Sequence, residues 1–151
     1  MAPPPVEVKD PLRPQAGKSP AACHARAMAR FLVIDDDNTL RQLMVATLEG
    51  AGHKVVQAAS GAEAAKVFQL GTPDVVVTDI VMPDDSLERV LALRKQFPKV
   101  PFVVVSGLAA KSARTVEIAG ALQARRTLAK PFRLPDFLGA TDEVLAEAGL
   151  V

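Results

Sequence analysis

The sequence predicts an α/β fold, a doubly wound parallel sheet with helices on both faces, and three observations carry that prediction. Short apolar runs alternate with segments of helical period five times in about 120 residues, the pattern of successive βα units. The runs Phe31–Ile34, Val75–Val77 and Phe102–Val105 show no polar alternation, as strands buried on both faces require. Finally, four of the five runs end on a polar or charged group: Asp35-Asp36, Asp79, Ser106 and Lys130. In open α/β sheets ligands bind at the carboxyl ends of the strands, so these residues share the edge where function is expected.

Residues 1–29 stand apart, and 30–148 form the predicted domain. Six of the twelve prolines fall between Pro3 and Pro20, with no apolar period among them. Such a segment cannot bury enough surface to offset its ordering entropy, so a flexible Pro-rich tail is expected, with a Pro-rich docking segment as the alternative. Met28, directly before Ala29-Arg30-Phe31, is a candidate biological start that N-terminal mass analysis of the native protein would test. Cys23 and His24 are an adjacent pair only, too little for a metal site.

The elements follow in order. Phe31–Ile34 is the first strand, and Asp37 or Asn38 caps a helix with Leu40, Leu43, Met44, Thr47 and Leu48 at helical spacing. Asp37 is read as that helix start rather than as a ligand. Gly50 and Gly52 end the helix, and His53 is expected to be solvated in the turn. Lys54–Ala58 is the second strand. Ser60 and Glu63 have the spacing of a capping box, opening a helix with Ala64, Ala65, Val67 and Phe68 on its apolar face. Gly71-Thr72-Pro73 leads to the third strand, Val75–Asp79, which Pro83 prevents from continuing. Ser86–Phe97 is a helix burying Leu87, Val90, Leu91, Leu93 and Phe97, and Pro98 and Pro101 bracket the turn into the fourth strand. A helix over Lys111–Leu122, a weaker strand at Arg126–Ala129 and a helix over Leu134–Ala148, with Phe137, Leu138, Val144 and Leu145 inward, complete the chain.

A chain of 151 residues suits one domain with a sizeable core. The net charge of +1 gives no electrostatic case for nucleic acid or membrane surfaces. One cysteine excludes an internal disulfide, no apolar run reaches membrane-spanning length, and no apolar segment follows the first charges of the N-terminus, so a secretory signal is not expected and a cytoplasmic protein is.

Three carboxylates gathered at one edge repel one another, and a hard divalent cation relieves that repulsion. Asp35, Asp36 and Asp79 are therefore candidate ligands for Mg²⁺. A carboxylate beside Mg²⁺ can act as a nucleophile toward phosphorus, giving an acyl phosphate. The charge on the transferring group then needs donors, which Lys130 and the Ser106 hydroxyl can supply, and Gly107 leaves room for close backbone approach.

The motifs Leu32-Val33-Ile34-Asp35-Asp36, Asp79-Ile80-Val81-Met82-Pro83, Val105-Ser106-Gly107 and Lys130-Pro131-Phe132, in this order, resemble the receiver (CheY-like) domain of two-component response regulators. The resemblance covers about residues 30 to 148. It implies a flavodoxin-like fold of five βα units with strand order 2-1-3-4-5. Asp79 is then the phosphoacceptor, and Asp35, Asp36, Asp79 and the Val81 carbonyl hold Mg²⁺, with Asp36 the more direct ligand of the acidic pair. Ser106 is the hydroxyl that moves to the phosphoryl group, Lys130 the conserved-type lysine, and Pro131 follows it through a cis bond.

Three departures concern how a signal is read out. Thr127 stands where receivers usually carry an aromatic, the loop after Met82-Pro83 lacks a glycine and is about one residue short, and Gln123-Ala124-Arg125-Arg126 replaces a less basic segment. The stretch from Ser106 to Lys130 is also slightly long. Val81 and Leu108, apolar beside the acyl phosphate, imply a long-lived phosphoryl group. Lys111, Arg114, Arg125, Arg126 and Arg133, with Glu117 opposing, form either a solvated basic face or a docking surface for an acidic partner.

The expected function is a stand-alone receiver, not an enzyme, phosphorylated by a sensor histidine kinase or histidine phosphotransfer protein. It signals by contact with a downstream protein, and the face made by the fourth helix, fifth strand and fifth helix is a candidate homodimer contact. The alternative is a phosphorylation-independent interaction module, which Thr127 favours. A Mg²⁺-dependent aspartyl-phosphate phosphatase is disfavoured, because Val81 stands where such an enzyme needs a second carboxylate.

Overall fold

The computed structural model describes residues 28–107 and 112–150. Its strands are β1 (Arg30–Ile34), β2 (Lys54–Ala58), β3 (Val75–Asp79), β4 (Phe102–Ser106) and β5 (Arg126–Ala129). They alternate with helices α1 (Asn38–Gly50), α2 (Gly61–Leu70), α3 (Ser86–Gln96), α4 (Ala113–Leu122) and α5 (Leu134–Glu147). All four strand pairings are parallel, in the order β2-β1-β3-β4-β5. That is the order the resemblance implies.

Strand side chains point alternately to opposite faces, and here both faces are apolar. Leu32, Ile34, Val76 and Val104 pack with Ala64 and Phe68 of α2, Val90 and Leu93 of α3, and Ile118 and Leu122 of α4. Phe31, Val33, Val77, Val103 and Val105 pack with Met44 and Leu48 of α1 and Phe137, Val144 and Leu145 of α5. Each such buried Val, Leu, Ile, Phe or Met side chain contributes about 1.5–3 kcal/mol relative to exposure. β3 and β4 are buried along their whole length, while β2 is an edge strand and largely exposed.

Local chemistry sets the helix starts. The Asp37 carboxylate accepts from the Leu40 amide at 3.1 Å, capping α1. Ser60 Oγ accepts from the Glu63 amide at 3.2 Å, but Glu63 Oε1 reaches back to the Ala59 amide (2.7 Å) rather than to that of Ser60. Ser112 caps α4 through the Thr115 amide at 3.2 Å, so that helix opens at Ala113, one turn-edge later than Lys111, which lies outside the described residues.

Two expectations need correction. Leu43 is 46% exposed, and the buried stripe of α1 is Arg41, Met44, Val45 and Leu48 instead. That i, i+3, i+4, i+7 set faces the sheet because the arginine stem is itself buried on it. His53 is buried, not solvated. The pairing of Arg30 with Lys54 places it beside Ala29, whose amide donates to Nδ1 at 3.2 Å, and its ring centroid lies 4.9 Å from that of Phe31. Among the described residues no helix is long and apolar enough to cross a membrane.

Candidate functional site

The strand register assembles the polar edge. Ile34 pairs with Thr78, so Asp35 and Asp79 leave adjacent strands side by side. Asp79 pairs with Val105 and Ser106 with Ala129, which sets Ser106 and then Lys130 one residue beyond, along the same edge. The backbone closes this corner, with the Lys130 amide donating to the Ser106 carbonyl at 2.6 Å. All five side chains singled out from the sequence thus fall on one edge, at four neighbouring strand ends and their turns.

Asp35 and Asp79 are buried, and each divides its two carboxylate oxygens in the same way. One oxygen accepts a backbone amide two residues on, Asp37 to Asp35 at 2.9 Å and Val81 to Asp79 at 3.0 Å. The other accepts from Lys130 Nζ, at 2.9 Å in both cases. Asp36 is exposed, yet one oxygen from each of Asp35, Asp36 and Asp79 can be chosen so that all three lie within 4.8 Å of one another. Three carboxylates against one ammonium leave two negative charges in the cluster, the complement of one divalent cation, and an all-oxygen donor set suits Mg²⁺.

Burial pushes the Asp35 carboxyl above the usual carboxylate range; the Asp37 amide and Lys130 oppose this, and the charge of Asp79 adds to it. Burial alone would pull the Lys130 ammonium down, but hydrogen bonds to Asp35 and Asp79 override it and leave Lys130 above the ordinary lysine value. The two buried carboxylates are therefore bridged by one charged lysine.

Around this centre, Val81 is half-exposed and tied to Asp79 through its amide. Leu108 lies outside the described residues. The Lys130–Pro131 bond is cis, as the resemblance implies. In the loop after Pro83, Asp84 takes φ +60°, the left-handed conformation a glycine would ordinarily supply and one that aspartate tolerates. Thr127 is half-buried on β5 opposite Val104. The basic face is less bare than its sequence suggests. Arg126 pairs with Glu143 (2.9 Å) and Glu147 (2.6 Å), and Arg125 with Glu147 (3.6 Å), so α5 supplies acidic partners beyond Glu117.

Two buried arginines escaped the sequence reading. Arg41 NH1 donates to the Asp35 carbonyl at 2.7 Å, Nε to Gln57 Oε1 at 2.8 Å, and NH2 to Asn38 Oδ1. Arg94 holds the carbonyls of Val100 and of Pro98 (2.7 Å) and Gln123 Oε1 (3.0 Å), with its guanidinium over the Phe102 ring. Each occupies a slot at helical spacing among buried residues (Arg41 with Met44, Val45 and Leu48; Arg94 with Val90 and Leu93), and that spacing was the available signal.

The model of the response regulator receiver domain matches residues 31–142. The response regulator receiver protein CpdR of Brucella abortus is 31% identical over 122 residues, covering 80% of this chain and 100% of CpdR. The chemotaxis protein CheY4 of Vibrio cholerae superposes with a TM-score of 0.72 at 33% identity, over 79% of this chain and all of CheY4. The response regulator TrrA of Thermotoga maritima, solved in complex with Mg²⁺ and BeF, superposes with a TM-score of 0.68 at 28% identity, over 78% of this chain and 100% of TrrA.

Proposed function

The chain belongs to the response regulator receiver domain family, and on that premise we propose that Asp79 is its phosphoacceptor, with Asp35 and Asp36 as the acidic pair of the metal pocket. Receivers are signalling domains that carry a phosphoryl group on an aspartate and bind Mg²⁺ at an acidic pocket. One observation carries the assignment to these residues: Lys130 Nζ bridges Asp35 and Asp79 at 2.9 Å each, with an Asp36 oxygen in the same cluster.

A phosphohistidine on the donor protein presents phosphorus to an Asp79 carboxylate oxygen. The new P–O bond forms as the P–N bond breaks, and the leaving imidazole keeps the electron pair and takes up a proton. Lys130, released from bridging two carboxylates, pairs with one phosphoryl oxygen, and the Ser106 hydroxyl donates to another. Asp35, Asp36, Asp79 and the Val81 carbonyl would hold Mg²⁺, and the bound ion would supply charge neutralisation for the phosphoryl group. Beyond this self-directed chemistry the domain acts on no separate substrate.

The donor is a sensor histidine kinase or a histidine phosphotransfer protein, and output runs through contact with a protein target in the cytoplasm, not through nucleic acid or membrane. Residues 30–148 are the receiver, preceded by a 1–29 tail. The α4–β5–α5 face, which carries the Arg126 pairs with Glu143 and Glu147, is the candidate homodimer contact.

Thr127, half-buried where receivers usually carry an aromatic, favours a second reading, an interaction module indifferent to phosphorylation. Treatment with acetyl phosphate and Mg²⁺, read by intact mass, separates the two. The receiver reading expects a gain of one phosphoryl group that Asp79→Asn and chelation each abolish. No gain leaves the constitutive module.

A further inference from the structure

Arg41 lies outside the residues that would touch metal or phosphoryl group, yet it is buried and fastens three segments at once. Its fork reaches the Asp35 carbonyl in the β1–α1 turn, Asn38 in the first turn of α1, and Gln57 on the edge strand β2. A guanidinium presents its N–H groups in one rigid plane, so three oxygens held at once fix the direction of each. The Asp35 carbonyl belongs to the Asp35–Asp36 peptide, which is planar. Holding that oxygen at 2.7 Å therefore fixes the plane from which Asp36 departs. Asp35 is already pinned through its side chain by Lys130 and the Asp37 amide. Asp36 is exposed, an acidic residue that core packing does not fix.

We propose that Arg41 is a positioning residue for the metal pocket: its fork on the Asp35 carbonyl, anchored by Gln57, sets the Asp35–Asp36 peptide so that the Asp36 carboxylate joins those of Asp35 and Asp79. The proposal rests on the reading that this cluster binds Mg²⁺. It carries a sign that electrostatics alone would reverse. Arg41 is a cation next to a cation site, so Coulomb repulsion predicts that removing its charge tightens Mg²⁺. Positioning predicts the opposite.

Mg²⁺ titrations of the unphosphorylated protein, followed through the backbone amide NMR signals of residues 35–37 and 79–81, decide between these. Arg41→Gln should weaken Mg²⁺ binding by about 10–100-fold, the scale of outer-shell partners of metal ligands. Arg41→Lys, which keeps the charge but not the fork, should not restore it. Gln57→Leu retains Arg41 and alters only an exposed position, so it should fold and still lose affinity, to a smaller extent. Leu48→Ala, buried on the same helix, should lower Tm and leave Mg²⁺ affinity unchanged, which separates positioning from general loosening of α1. Unchanged or tighter binding in Arg41→Gln and Gln57→Leu overturns the proposal. Wild type that binds no Mg²⁺ overturns the metal reading as well, whereas binding that Asp36→Asn abolishes upholds that reading and leaves the Arg41 variants to judge the proposal alone.

Discussion

The carboxyl edge of the sheet and the α4–β5–α5 face both gather charge, but they hold it differently. At the edge, a lysine side chain only 19% exposed bridges two buried carboxylates, and each carboxylate also accepts a backbone amide. On the face, Arg126 meets Glu143 and Glu147 with all three side chains a third or more exposed. Buried charges are costly unless every partner is present, so the edge tolerates little change. Exposed pairs are screened and contribute little, so the face can vary without loss of fold. The four motifs at the edge keep the family's residue types, with a departure in the loop after Pro83, and the departures at Thr127 and Gln123–Arg126 lie toward the face.

The largest break in this comparison should come from Lys130→Met. It leaves Asp35 and Asp79 facing each other without their cation, and a loss of about 3 kcal/mol in Mg²⁺-free unfolding is expected, partly recovered on adding Mg²⁺. Lys130 titrates above its ordinary 10.5 in the folded state, so its contribution is fully present below that pH and fades as pH rises through the higher folded value. Stability curves of wild type and Lys130→Met should therefore converge in alkali. Equal urea midpoints at neutral pH would erase the distinction between the two regions.

Arg94→Met tests an intermediate case, a buried cation that serves the face. Losing its bonds to Pro98, Val100 and Gln123 should cost about 1–3 kcal/mol, the penalty for buried carbonyls left unsatisfied. Gln123 holds the left-handed end of α4, so hydrogen exchange in the last turn of that helix should quicken. Phosphoryl uptake should be unchanged, and a fall in uptake would couple the two regions more closely than their contacts do.

The smallest effect belongs to Glu147→Gln. The Arg126 hydrogen bond holds the Glu147 carboxyl below its ordinary 4.5, so whatever it contributes exists above that pH and disappears as pH falls through the lower folded value. Wild type and variant should coincide in acid and in high salt, and differ only slightly in thermal midpoint at neutral pH and low salt. A large difference would show that this face is held as tightly as the edge.

The fold and the candidate site were legible for one reason. Each candidate side chain interrupts an apolar run at the same place, the end of a strand, and a parallel sheet brings those ends together. Asp35, Asp79, Ser106 and Lys130 all obey that rule. What stayed hidden depends on neighbours distant in sequence. His53 is buried because the β1–β2 register extends back to Ala29. Counting apolar positions turned Leu43 inward, whereas the α1 stripe runs through the stem of Arg41. The acidic partners of Arg126 sit 17 and 21 residues downstream on α5, beyond any local pattern.

The most direct test of the central claim locates the phosphoryl group itself. Protein treated with acetyl phosphate and Mg²⁺ is reduced with borohydride, which converts an aspartyl phosphate to homoserine, and is then mapped by peptide mass spectrometry. The account predicts homoserine at position 79 and at no other aspartate. Homoserine at Asp35 or Asp36, or none at all, would contradict it.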